Sequence, residues 1–459
     1  MIRNATVTVC CFLLTGLTAA AQDPATRKRP AYMKIKAYLD RIPSIDTHDH
    51  LQPFAELPGR VRTEHGLGMN LYSLWKNSYY SAVHKLTPWT DGQRFDDWWK
   101  VARNDFDDAR AASFYQYQLS AFRDLYGVNF ETMTAEQARG LDRRIFDNYR
   151  DAAWLRNVIT VRANIELMVF DPRIRFDFEP PNDFSVLALR VNPLLVAFHP
   201  DETPDPLHSP YVFAEKRGLK MASLDDYVAV IDGLLRDAAA AGIVCLKYAG
   251  AYRRTLQFDK PPVEQVAPIF GKRRQELSER QIKTFEDFVF WKLCELAAKH
   301  DLPFQIHTGH GRLQGSNPML LLDLIEANPR TKFVLFHGGY PWIGETGAIA
   351  LRNPGNVWID SVWLPTISYT MGKRAFHEWL ELVPSSRIMW GADALHAEGI
   401  YGATMFTREC LAEVLAEKVE QGRFREQDAR RIGRQILREN ALSLFPGMRN
   451  KLWKKAVVE

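Results

Sequence analysis

Short apolar runs, bounded by polar or glycine-containing segments, recur along this chain, and several of the stretches between them are apolar at helical spacing. Runs at 165–170, 186–191, 243–246, 303–306, 332–336, 356–359 and 387–390 have strand length and are rich in β-branched residues. An eighth, at 42–45, leads into Asp46-Thr47-His48-Asp49-His50. In the clearest intervening helix Phe285, Phe288, Val289, Leu293, Leu296 and Ala297 form one stripe, which Lys299-His300 closes. Alternating strands and helices predict an α/β fold with a parallel sheet, and eight such units predict a closed (β/α)8 TIM barrel. A doubly wound open sheet is the alternative, but the first strand lacks a glycine-rich phosphate turn.

One segment breaks the alternation. From 66 to 156 the chain has helical composition and many aromatics, with Leu71-Tyr72, Leu74-Trp75, Phe95, Trp98-Trp99, Phe114, Tyr117 and Phe122 at helical spacings. It reads as a helical insertion after the first strand, and its aromatics could equally wall a pocket or form a subunit interface.

A barrel of this kind builds its site at the C-terminal ends of the strands. The polar residues found there are His48 and His50 on strand one, then Lys247, His307, His337, Asp360 and Asp393 on later strands. Residues i and i+2 of a strand share a face, so His48 and His50 present their imidazoles side by side. His48, His50, His307 and Asp393 make a three-nitrogen, one-oxygen set, which suits one zinc ion, with manganese, iron or cobalt as alternatives. A metal lowers the pKa of bound water and so makes a nucleophile at neutral pH. Asp393 then serves as general base and acid, with His337 within reach of the water or the substrate oxygen.

Each residue also has a plainer reading. A lone histidine is more often a hydrogen-bonded structural group, which is the reading for His300 and His377. Asp393 could cap the helix that follows it. Asp360 is expected to brace the barrel, and Lys247 could pair with a substrate carboxylate. Four such accidents at strand ends would be needed to explain the pattern away.

Composition adds limits. Apolar residues are 46% and charged residues 25% of the 459, the mix of a soluble globular chain. A formal charge of +4 leaves no nucleic-acid footprint. Arg3, the apolar run from Val7 to Leu17 and Ala19-Ala20-Ala21 read as a signal peptide over 1–21, leaving 22–459 as an exported, periplasmic or secreted chain. The apolar run is too short to span a bilayer. Cys245, Cys294 and Cys410 would remain, too few and too irregular for a disulfide framework.

Asp46-Thr47-His48-Asp49-His50, the strand ending at His307, His337-Gly338-Gly339 and Trp390-Gly391-Ala392-Asp393 resemble the amidohydrolase superfamily. Residues 242–247 with Ala251-Tyr252-Arg253, 303–309 and 336–341 are similar to the amidohydrolase-related branch fused to glutamine-synthetase-like domains, as in nodulin-type proteins of plants and fungi. The resemblance runs from about Ser44 to the C-terminus and implies a distorted barrel and metal-dependent hydrolysis of amide or ester bonds. It gives His48, His50, His307 and Asp393 the ligand roles. It gives Lys247 and His337 the positions that hold a second metal in binuclear members, Lys247 as a carboxylated bridge. Arg312 departs from the acidic residue usual after His310-Gly311. The insertion also resembles that of uronate isomerases, so isomerisation or decarboxylation of a small acid stands as the alternative, and a non-catalytic exported binding protein ranks below. Tyr252, Arg253 and His310 are the expected substrate contacts, Arg253 suiting a carboxylate. The oligomeric state is left open.

Overall fold

The computed structural model describes residues 25–172, 178–203 and 209–452. The expected signal peptide at 1–21 lies outside them. Ten strands form two sheets. A two-stranded hairpin pairs β2 (Val61–Thr63) with β3 (Gly66–Gly68). The other eight strands are β1 (Ser44–Asp49), β4 (Ile165–Phe170), β5 (Ser185–Arg190), β6 (Cys245–Tyr248), β7 (Phe304–Ile306), β8 (Phe333–Leu335), β9 (Val357–Asp360) and β10 (Ile388–Met389). They are parallel and lie side by side in chain order.

The seam between first and last strand is closed by backbone hydrogen bonds. Thr47 N–H donates to Trp390 O at 3.2 Å, Asp393 N–H to His48 O at 3.0 Å, and His50 N–H to Ala394 O at 3.1 Å. This completes the TIM barrel that the alternation predicts. The barrel is distorted at β1, whose register against β4 shifts between Asp46 and Asp49. A side chain at Gly391 would stand 2.8 Å from Val362 Cγ2 and 3.0 Å from His48 N, so the close approach at the seam needs glycine there.

Inward-facing residues change character along each strand. Leu167 and Val169 precede Asp171, Val186 and Ala188 precede Arg190, and Cys245 precedes Lys247 at the same period of two. The lower, apolar part of these rows forms a buried cluster with Ile45, Val334, Phe336 and Met389, which Leu442, Leu444 and Phe445 of the C-terminal segment join. The upper, polar part lines the mouth.

Between β3 and β4 lie the helices of the insertion, among them Leu71–Lys76, Phe95–Ala102, Ser113–Tyr126 and Ala135–Asn148. Its first residues correct the sequence reading, because Gly66–Gly68 is a hairpin strand and not helix. The turn at 64–65 reverses the chain so that Thr63 pairs Gly66. Most of its aromatics are core. Trp75 is 1% exposed and packs on Tyr80, Phe106, Tyr115, Phe122 and Phe130 at ring-centroid distances of 4.8 to 5.6 Å. They hold the insertion together and are not an open interface.

Cys245, Cys294 and Cys410 are free, buried thiols. Among the described residues, no helix is long and apolar enough to cross a membrane.

Candidate metal site at the barrel mouth

His48, His50 and Asp393 are brought together at the seam, with one ligand atom from each lying within 4.8 Å of the others. Asp393 Oδ1 is 3.4 Å from His50 Nε2 and 3.7 Å from His48 Nε2. His307 lines the same cavity, of about 320 Å3, but stands outside this tightest group. Asp393 does not cap the next helix. His396 does so, accepting from Gly399 N–H. Asp393 instead sits in the left-handed region at φ +53°, which turns its carboxylate into the mouth.

Two buried carboxylates brace this turn. Asp46 Oδ1 accepts from His48 N–H at 3.1 Å and Ala392 N–H at 3.0 Å. Asp49 accepts from Leu51 N–H at 2.8 Å and Ala394 N–H at 3.1 Å. Burial raises the pKa of both, Asp46 to about 8. Asp360, as expected, is a brace: its Oδ2 accepts from Thr47 Oγ1 at 2.6 Å and its Oδ1 from Val362 N–H at 3.0 Å.

Hydrogen bonding assigns the imidazole tautomers. His50 Nδ1–H donates to Asp171 O at 3.0 Å, which leaves the Nε2 lone pair for the site. His337 Nδ1–H donates to Val362 O at 3.2 Å, so its Nε2 must accept, and His307 Nδ1–H donates to it at 2.8 Å. That leaves a lone pair on His307 Nε2, which is buried without a partner among the described residues, as is His48 Nδ1. Burial, reinforced at His48 by the Lys247 charge and at His337 by His307 and Lys247, holds the pKa values of His48, His307 and His337 well below the usual range. Imidazole nitrogens converging beside a carboxylate, with His48 and His307 held neutral by burial, are the donor set of a divalent metal, and the residues fit one.

His337 is occupied at both nitrogens, which makes it a support for His307. Lys247 is 1% exposed and lies with Nζ 3.5 Å from the centre of the Phe336 ring. Its Nζ has no hydrogen-bond partner among the described residues, and burial pushes the ammonium pKa down to about 7.

Of the three expected substrate contacts, Tyr252 lines the cavity and places its ring 4.6 Å from that of His307. His310 is not in the lining; it packs edge-on against Trp363 at 4.8 Å. Arg253 opens instead onto a neighbouring groove of about 410 Å3 beyond the turn Gly250–Tyr252. The loop turns its side chain away from the strand ends.

Besides Ala249, three lining residues with polar or aromatic side chains escape the sequence reading: Tyr79, Arg190 and Trp363. Tyr79, from the insertion, donates its hydroxyl to Asp393 Oδ1 at 2.9 Å. Arg190 Nε donates to Asp171 Oδ1 at 2.9 Å and Nη2 pairs with Oδ2. Burial opposes ionisation of Asp171, but the guanidinium outweighs it and holds the carboxyl down at about 2. Arg190 was readable, since it follows Ala188 by two on an inward-facing row. Tyr79 gave no such signal, because its partner lies 314 residues away. His300 and His377 are structural, bonded to Asp232 at 2.7 Å and Glu417 at 2.8 Å.

Comparison with known proteins agrees with this geometry. A family profile described as amidohydrolase matches residues 226–447, which hold Lys247, His307, His337 and Asp393. Protein fluG of Emericella nidulans is 34% identical over 149 residues, 31% of this chain, and the match spans only 17% of that protein. The fold resembles a uronate isomerase of Thermotoga maritima at TM-score 0.69 and 13% identity, covering 90% of this chain and 97% of the other. A glucuronate isomerase of Caulobacter crescentus gives 0.65 at 16% identity, covering 94% and 95%. A candidate metal-dependent hydrolase of Lactobacillus casei gives 0.62 at 17% identity, covering 93% and 99%. The segment 226–447 is thus similar in sequence to the amidohydrolase family, and the barrel as a whole resembles these solved structures in fold.

Proposed function

We propose that the chain is an exported metal-dependent hydrolase that cleaves an amide or ester bond of a small substrate. The observation that carries this is the convergence of His48, His50 and Asp393 at the barrel mouth, with the orphaned His307 Nε2 in the same cavity. His48, His50, His307 and Asp393 would hold one divalent ion, zinc by donor type. The ion, when bound, supplies Lewis acidity and a lowered water pKa.

The remaining work falls to the chain. Asp393 is the group that takes a proton from the attacking water and returns it to the leaving nitrogen or oxygen. The Tyr79 hydroxyl fixes Asp393 Oδ1 by donating to it. His337 holds the His307 ring in one tautomer. Trp363 and Tyr252 narrow the mouth and limit solvent around the reacting bond.

The test is metal content of protein purified without chelators, followed by product analysis over amides, esters and uronates. About one equivalent of zinc and release of amine or alcohol is the expected result. Protein that takes up no divalent ion overturns the reading. A second reading, proton transfer within a sugar acid, draws support from the uronate isomerase likeness. It predicts a product of unchanged mass.

A further inference from the structure

We propose that Lys247 and Trp363 form a carboxylate-binding subsite in the metal pocket, so that the substrate is a small organic acid. The inference rests on the metal-site reading above and names the substrate class for it.

Two buried donors carry the argument. Lys247 Nζ and Trp363 Nε1 both belong to residues lining the cavity, and neither finds an acceptor among the described residues. A buried N–H without an acceptor costs about 1–3 kcal/mol, more for a charged group, so native folds rarely leave one without a use. Two such donors on residues of one lining point to a ligand that accepts twice. The Phe336 ring beneath Lys247 offers only its face, which steadies the ammonium and leaves its hydrogens to the cavity.

Trp363 is also held in an uncommon conformation. Its φ is +64°, a left-handed geometry that is costly for a bulky side chain. Its ring is pinned by Tyr79 at 4.4 Å, His310 at 4.8 Å and His337 at 5.3 Å. The turn thus holds the indole at the mouth, next to His337 and in the lining shared with His307.

The charges agree. The lining holds Lys247 and Arg190 against the single carboxylate of Asp393. Arg190 is already matched by Asp171, which leaves Lys247, among the described residues of the lining, as the cation with no hydrogen-bond partner. A planar carboxylate accepts from two separate donors at once, whereas a phosphate is usually held by an arginine fork or a run of backbone N–H groups. The cavity, about 320 Å3, lies at the small end for ligand sites and suits one small acid.

Calorimetric titration of the metal-loaded protein with acetate, benzoate and glucuronate, and with benzamide as the uncharged match, tests this. Wild type should bind at least one acid, Lys247→Met should weaken that binding tenfold or more, and Trp363→Phe severalfold. Benzamide binding should change little, and metal content and melting temperature should stay at the wild-type value in both variants. Equal acid binding by wild type and Lys247→Met overturns the proposal, as does failure of all three acids to bind wild type. So does a carbon dioxide adduct on Lys247 in the intact native mass, which would make the residue an anion. Metal analysis of the same samples separates the two claims: protein without metal refutes the hydrolase reading, while the comparison of acids with benzamide still decides the subsite.

Discussion

At Asp393 a strained backbone, two imidazoles and a tyrosine hydroxyl meet in one side chain. Asp393→Asn keeps the size of the group but cannot accept a proton, so turnover should fall by about 10²–10⁴-fold with little change in melting temperature. Tyr79→Phe removes one hydrogen bond to a charged group, a loss of roughly tenfold in turnover with metal content intact. His307→Ala should release metal, whereas His337→Ala should weaken metal affinity by about 10–100-fold, the cost of losing an outer support. Atomic emission on dialysed protein distinguishes the two. His48, His50, His307 and Asp393 were legible as residues of the barrel mouth because each follows an apolar run. Arg253 was misplaced because a loop residue carries no periodicity to say which way it points. Trp363 was missed because a left-handed turn leaves no trace in hydrophobic pattern.

Elements were read more readily than their edges. All eight barrel strands lie where the apolar runs predict, although β10 is only two residues long. The hairpin of β2 and β3 was hidden, since three-residue strands containing two glycines give no alternation to detect. Within the insertion, Asp142 shows what burial does to an element. Its carboxyl, 4% exposed, accepts from Leu71 N–H at 2.9 Å at the start of the helix Leu71–Lys76, and burial raises its pKa to about 7. The folded chain therefore binds this proton more tightly than the unfolded chain. The stabilisation is present below the ordinary value and is lost as pH rises through about 7. Asp142→Asn keeps the acceptor and drops the charge. It should raise the melting temperature at pH 8 and change it little at pH 5, as thermal melts at the two values would show.

On the scale of the molecule, the helix Ala397–Glu420 is bolted to the entry of β1 by one buried cation. Arg408, 1% exposed, donates to Asp40 O at 2.7 Å, Ile42 O at 2.9 Å and Ser44 Oγ at 3.1 Å. Arg408→Met leaves these acceptors without their donor and should cost about 2–4 kcal/mol in urea unfolding, with the barrel still formed. No sequence pattern announced this contact, because its partners are backbone oxygens far away in the chain.

The seam gives the site a second consequence. His48 lies on the first strand, His50 just after it and Asp393 in the turn after the last, and these residues make two of the three backbone bonds that close the seam. An ion bound there is a clasp on a hoop: it ties the two ends of the barrel together across nearly the whole chain. Removing it should loosen one joint and leave the rest of the ring taut. In hydrogen exchange with a chelator present, the amides of Thr47, His50 and Asp393 should quicken, while that of Leu246, bonded to Pro303 O between β6 and the start of β7, keeps its pace.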